Sequence, residues 1–233
     1  MATAASTRHI AAKRPRNRLV QILLSSIGLK LVMAHTGVML SGFVLAHMAG
    51  NLKTFEGSEA LNAYARLLRF EPALLWAARV SLLGAVGLHI WAYIMLTRTQ
   101  LAARPVEYRQ TAHKESTFAS RSMRLTGPLL LAFIIFHLLH FTTGTVHPSF
   151  DEHDVYHNVV SGLKVVPVAL FYLLALAALA THLWHGVWSL FQTLGANQPR
   201  YGSFGRKFAT VFTAVVVLGF AAIPLSVLAG LVK

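Results

Sequence analysis

Histidine is the residue type through which this sequence could do chemistry. The chain holds 12 histidines and no cysteine among 233 residues, of which 55% are hydrophobic and only 12% charged. A soluble domain carries about 25% charged residues, so the composition points to a membrane protein. In such surroundings an imidazole is a metal ligand, a proton carrier or an interhelical hydrogen-bonding group. Without cysteine, this chain can hold no disulfide, thiolate-bound iron–sulfur cluster or covalently attached c-type haem.

Seven histidines fall within or at the ends of long apolar runs: His35, His47, His89, His137, His140, His182 and His185. The runs cover about 31–50, 74–96, 125–145, 165–190 and 208–231. Each is near the ~20 residues a helix needs to cross hydrocarbon. The expected fold is an all-α membrane protein, a bundle of five transmembrane helices over 31–233, preceded by a basic tail and surface-lying segment over 1–30. Pro128 and Pro167 are expected in first turns, where a missing N–H costs little, and Pro224 inside the fifth helix. Of the 21 Lys and Arg, 15 fall on one side of the five crossings. The positive-inside rule then puts the N-terminus in the cytoplasm and the C-terminus outside. A nucleic-acid footprint is the rejected reading of the +13 charge.

Depth sorts the histidines. At 1.5 Å per residue, His47 lies about 24 Å and His137 about 18 Å above the inner ends of their spans. His89 lies about 22 Å and His182 about 26 Å below the outer ends of theirs. One pair therefore belongs to the outer half, on the first and third spans, and one to the inner half, on the second and fourth. Two bis-histidine sites stacked across a membrane would bind two b-type haems, with no open iron position, which suits electron transfer. Gly37, Gly42, Gly84, Gly87 and Gly127 would let a flat macrocycle approach the helices. The first and third spans also share an echo: Thr36-Gly37, nine residues, His47, and Thr126-Gly127, nine residues, His137. The echo selects His137 over His140, which shares its helix face at i+3. Spacing does not choose between His182 and His185. His147, His153 and His157 stand beside Asp151, Glu152 and Asp154, and read as a solvated loop rather than a zinc site.

The residues resemble a known family. Thr36–Leu52 (TGVMLSGFVLAHMAGNL), Leu61-Asn62-Ala63-Tyr64-Ala65, Leu125-Thr126-Gly127 through His137, and His182–Gly195 (HLWHGVWSLFQTLG) are together similar to the two-haem cytochrome b membrane anchor of succinate dehydrogenase and fumarate reductase, the cytochrome b558 family. The resemblance implies His47 and His137 as iron ligands of a distal haem, and His89 with His182 as those of a proximal haem. It implies two haem b and a membrane quinone, menaquinone being the expected one. A flavoprotein subunit carrying the succinate site and an iron–sulfur subunit are the implied partners, in a bacterial inner membrane, with a higher oligomer of the heterotrimer also compatible. The chain would pass electrons from the iron–sulfur subunit through both haems to or from the quinone. His35, Arg79, Arg121, Arg124, His140, His185 and Glu71 are candidate propionate or quinone contacts. Family members with a transmembrane proton path carry Glu two residues before the fourth ligand; here that residue is Ala180, which tilts the reading toward succinate oxidation. Two rivals fit less well. A hydrogenase or formate dehydrogenase cytochrome b lacks the paired echo. A histidine-relay transporter calls for intramembrane carboxylates, and the spans contain none.

Overall fold

A computed structural model describes residues 17–103, 116–196 and 202–233. The tail cations Arg8, Lys13, Arg14 and Arg16, the loop cations Arg104, Arg109 and Lys114, and Arg200 lie outside the described residues. Those described form eight α-helices and no strand: α1 (Arg18–Leu23), α2 (Ser26–Asn51), α3 (Ser58–Arg69), α4 (Pro72–Ala102), α5 (Phe118–Phe141), α6 (Val155–Lys164), α7 (Val166–Thr193) and α8 (Gly202–Leu228). A 3-10 turn, Leu52–Glu56, links α2 to α3. Five of the helices, α2, α4, α5, α7 and α8, are long and apolar enough to cross a membrane.

Local signals set the boundaries. Ser25 is extended and its hydroxyl accepts the Gly28 N–H at 3.1 Å, so α2 opens at Ser26. The surface-lying part of the expected 1–30 segment is therefore only a six-residue helix and a turn, and Ser26 to Lys30 belong to the spanning helix. Gly28 is required there, because a Cβ would collide with the Ile22 and Leu23 backbone. Thr117 accepts the Ser120 N–H and starts α5 seven residues before the apolar run. Pro128 thus lies in the helix interior rather than the expected first turn. Its missing N–H leaves the Arg124 carbonyl without its usual helical donor. The same helix stops at Phe141 rather than running to Thr145; Gly144 turns the chain with φ 70°. Pro167 does sit in the first turn of α7, and Pro224 inside α8.

Large apolar side chains point outward along the spans, among them Leu83, Ile135, Leu170 and Leu218. In water such a surface would be a large unburied patch; in hydrocarbon it needs no cover. Inside, α2 packs on α4 through Leu29, Ala92 and Leu96. Helix α7 packs on α2, α5 and α8, with Leu183, Val187, Ala209 and Val216 at the α7–α8 contact. Two short amphipathic helices, α3 and α6, close one end of the bundle, where the sequence reading had only connecting loops. Leu61 of α3 and Val159, Val160 and Leu163 of α6 join Ala169, Ile223 and Val227 in one core. This cap end is where α2, α5 and α8 finish; α1 marks the opposite, tail end.

Asn62 pins the cap. Its Nδ2 donates to Asp154 Oδ1 at 2.9 Å and its Oδ1 accepts the Tyr156 N–H at 3.0 Å. Asp154 also caps α6 by accepting the His157 N–H at 2.8 Å. That amide first, and the Asn62 side chain second, hold the Asp154 carboxyl below its ordinary value of 3.8. A depressed carboxylate stabilises the fold above its ordinary pKa, and the contribution disappears as pH falls through the folded-state value. Asp154→Ala is expected to cost about 1–2 kcal/mol at neutral pH. In thermal unfolding of the detergent-solubilised chain, wild type and variant should differ at pH 7, and the difference should shrink as pH falls below the ordinary carboxylate value of 3.8.

Candidate functional site

Four spanning helices each bring a histidine into a pair that crosses between helices. His47 of α2 and His137 of α5 have ring centroids 5.9 Å apart at 85°. His89 of α4 and His182 of α7 have centroids 6.4 Å apart at 50°. Two imidazoles on opposite sides of one metal ion, each bonded at about 2.0 Å as zinc–imidazole bonds are, have centroids roughly 6 Å apart. Both separations match that value. Within the described residues no cluster of three or more His, Cys, Asp or Glu could hold a metal ion.

The helices that face one another across each pair are held apart. Close packing joins α2 to α4, α5 to α7 and α2 to α7; α2 with α5 and α4 with α7 are not among the closely packed pairs. The imidazoles reach across the gap that the backbones leave. A Cβ built on Gly42, Gly84, Gly87 or Gly127 meets no atom within 4 Å, and one on Gly37 meets only the His89 ring at 3.9 Å. Paired imidazole nitrogens, separated backbones and glycines at which a Cβ would meet no neighbouring atom fit a flat macrocycle such as haem.

The echo in the sequence is a ruler. Eleven residues separate Thr36 from His47 and Thr126 from His137, about 16 Å of helix. At the lower mark, Thr36 Oγ1 lies 3.0 Å from His89 Nδ1, and Thr126 Oγ1 3.4 Å from His182 Nδ1. Each helix of the α2/α5 set therefore carries a threonine for the tail-end pair and a histidine for the cap-end pair. Tyr172, ten residues before His182 on α7, stands at the cap-end level. Its hydroxyl lies 3.2 Å from His137 Nδ1 and 3.0 Å from His140 Nδ1. The sequence reading missed Tyr172. The signal was its spacing to His182, which nearly repeats the ruler on a helix running the other way.

The remaining candidates fall into different settings. His140 is fully buried, and stacks on His147 with centroids 4.8 Å apart; its Nε2 lacks a hydrogen-bond partner. Gly162 leaves the room for that stack, since a Cβ would come within 2.8 Å of both rings. His185 takes Ser189 Oγ at 3.2 Å, and its buried Nδ1 has no partner. Arg79 lies at the cap-end level with its guanidinium 5.1 Å over the Trp76 ring. Arg121 donates to the Ser116 carbonyl at the start of α5. His35, Arg124 and Glu71 are exposed, and the Glu71 side chain makes no capping hydrogen bond to α4. In the cap loop, the Ser149 N–H donates to His147 Nδ1 at 3.1 Å, while His147 Nε2 lies 2.9 Å from the Asn158 carbonyl. His157 Nε2 lies 3.0 Å from the Ser149 carbonyl. These histidines are occupied as loop-forming donors and acceptors.

Fold and site together define an all-helical, multi-pass membrane protein with two interior imidazole pairs. The family model described as the succinate dehydrogenase/fumarate reductase transmembrane subunit matches residues 98–222. That is more than half of the chain, which belongs to this family. The match contains His137 and His182, while His47 and His89 lie N-terminal to it. No curated protein and no solved structure matches the chain.

Tyr172→Phe keeps the ring packed edge-on against Phe133, at 5.0 Å, and removes only the shared hydroxyl. Two buried imidazole nitrogens then lose a partner, at an expected cost of about 1–3 kcal/mol. Thermal unfolding of the detergent-solubilised chain would register it as a lowered Tm.

Proposed function

We propose that this chain is the di-haem cytochrome b membrane anchor of a succinate:quinone oxidoreductase. In this reading it carries electrons between an iron–sulfur subunit, which receives them from a flavoprotein, and a quinone in a bacterial inner membrane. The observation that carries it is the placement of two imidazole pairs, with ring centroids 5.9 and 6.4 Å apart, at two depths of one bundle. His47 and His137 would hold the distal haem toward the cap, and His89 and His182 the proximal haem toward the tail. A b haem with both axial positions filled supplies one-electron transfer and offers no open iron position.

The chain's own residues do the rest. Phe43 stacks on His47 at 5.2 Å, and Phe133 and Phe141 flank His137 at 5.7 Å, fixing the rings and excluding water from the cap-end pair. Thr36 and Thr126 contact the tail-end pair. The positive-inside count places the tail end in the cytoplasm, where Arg98, Arg121, Arg124, Arg206 and Lys207 form a basic face suited to an acidic partner surface. The cap end then faces outside, and Arg79, Glu71 and His140 are there to meet propionates or a quinone. Ala180 leaves no carboxylate two residues before His182, which favours succinate oxidation over proton-coupled fumarate reduction. Menaquinone is the proposed partner quinone.

A pyridine haemochrome assay on the purified chain tests the reading. Two b haems per chain are expected, and none would overturn it. Alanine at His47, His89, His137 or His182 should each remove one haem. His185→Ala should keep both. A flavoprotein and an iron–sulfur protein should co-purify, with succinate bleaching the flavin.

A further inference from the structure

Thr36 and Thr126 are almost wholly buried, at 3% and 6% exposure. Each hydroxyl has one proton. Thr36 Oγ1 lies 2.8 Å from the Val32 carbonyl and 3.2 Å from that of Met33, and Thr126 Oγ1 lies 3.1 Å from the Ser122 carbonyl. A carbonyl only accepts, so the proton is committed within the helix and a lone pair is left for the imidazole. The contacts at 3.0 Å to His89 Nδ1 and 3.4 Å to His182 Nδ1 then place a proton on each Nδ1. In a neutral ring that leaves the lone pair on Nε2.

The arrangement is crossed. The threonine of α2 serves the histidine of α4, and the threonine of α5 serves that of α7. The cap-end pair is built otherwise. His137 faces Tyr172, which it shares with His140, and both ring nitrogens of His47 lie 3.4 Å from Asn51 Nδ2. The threonine device belongs to one pair alone.

We propose that Thr36 and Thr126 are positioning residues that hold His89 and His182 as Nδ1–H tautomers, fixing which nitrogen is offered to iron and strengthening both as donors. The proposal rests on the di-haem reading above. A hydrogen-bond acceptor on the far nitrogen raises the basicity of a ligating imidazole, which favours the more positive, oxidised metal. The threonines therefore lower the reduction potential of the proximal haem and leave the distal haem unaffected.

Potentiometric titration of the b-type absorbance in the purified complex tests this, with T36V, T126V, T36S and T126S. The proximal component is the one lost in the His89 and His182 variants. Valine keeps the volume and removes the acceptor; serine restores it. Either valine variant should shift the proximal ferric–ferrous equilibrium about ten-fold toward the reduced form, ~59 mV for one electron. The distal component should stay fixed, and the serine variants should titrate as wild type. Loss of the proximal haem alone in a valine variant, with both haems kept in the serine variant, also supports the assignment. An unmoved proximal potential overturns it. So do equal shifts in both components, serine variants that behave as valine, or failure of both valine variants to accumulate. A wild-type chain without haem defeats the underlying reading instead, whereas two haems with a proximal potential indifferent to the threonines defeats only this inference.

Discussion

The rigid rise of an α-helix in hydrocarbon is the constraint on which the rest of this molecule depends. With no water to satisfy a broken backbone, each crossing must be one continuous helix. Residues eleven apart are then held about 16 Å apart in depth. Thr36 and His47 on one helix, and Thr126 and His137 on another, are tied to two levels in this way. Helices running the opposite way bring His89 and His182 to the lower level and Tyr172 to the upper. No loop takes part, so neither level can drift relative to the other.

A second constraint follows from the pairs themselves. Imidazoles meeting across a gap need backbones that do not close it. The bundle packs α2 on α4 and α5 on α7, and joins the two halves through α2 and α7. A Cβ at 42, 84, 87 or 127 would meet no atom within 4 Å, and one at 37 only the His89 ring. Tight packing is found where nothing has to fit, as at Ala92 and Leu29 between α2 and α4, or Ala209 and Val216 on α8. The cap is the other rigid region: Asn62 clamps α3 to α6, and Tyr156 reaches the Lys233 carbonyl at 3.1 Å. It closes the bundle beside the cap-end pair.

Much of this was legible from one sequence because apolar length and helical rise are local properties. The five spans, the sorting of histidines into two depths and the choice of small residues beside them need only counting. What counting missed has a common cause. Helices α3 and α6 have short apolar faces that mean nothing until Ala169, Ile223 and Val227 supply the other half of their core. Pro128 was expected in a first turn, because the apolar run begins near it, but the helix starts at the polar Thr117 cap. His182 and His185 share a helix face, and only the position of α4 shows that His182 meets the His89 ring while His185 turns to Ser189.

The sequence by itself determined the class of fold, the number of crossings and the depth of every interior histidine, since these depend on one helix at a time. Tertiary structure decided which groups touch. It set His47 against His137 and His89 against His182, put Tyr172 between two imidazoles, and turned a repeated Thr-Gly into a contact with histidines on other helices. Depth is fixed by rise along a chain, whereas azimuth, and therefore contact, is fixed only when neighbouring helices have chosen their packing faces.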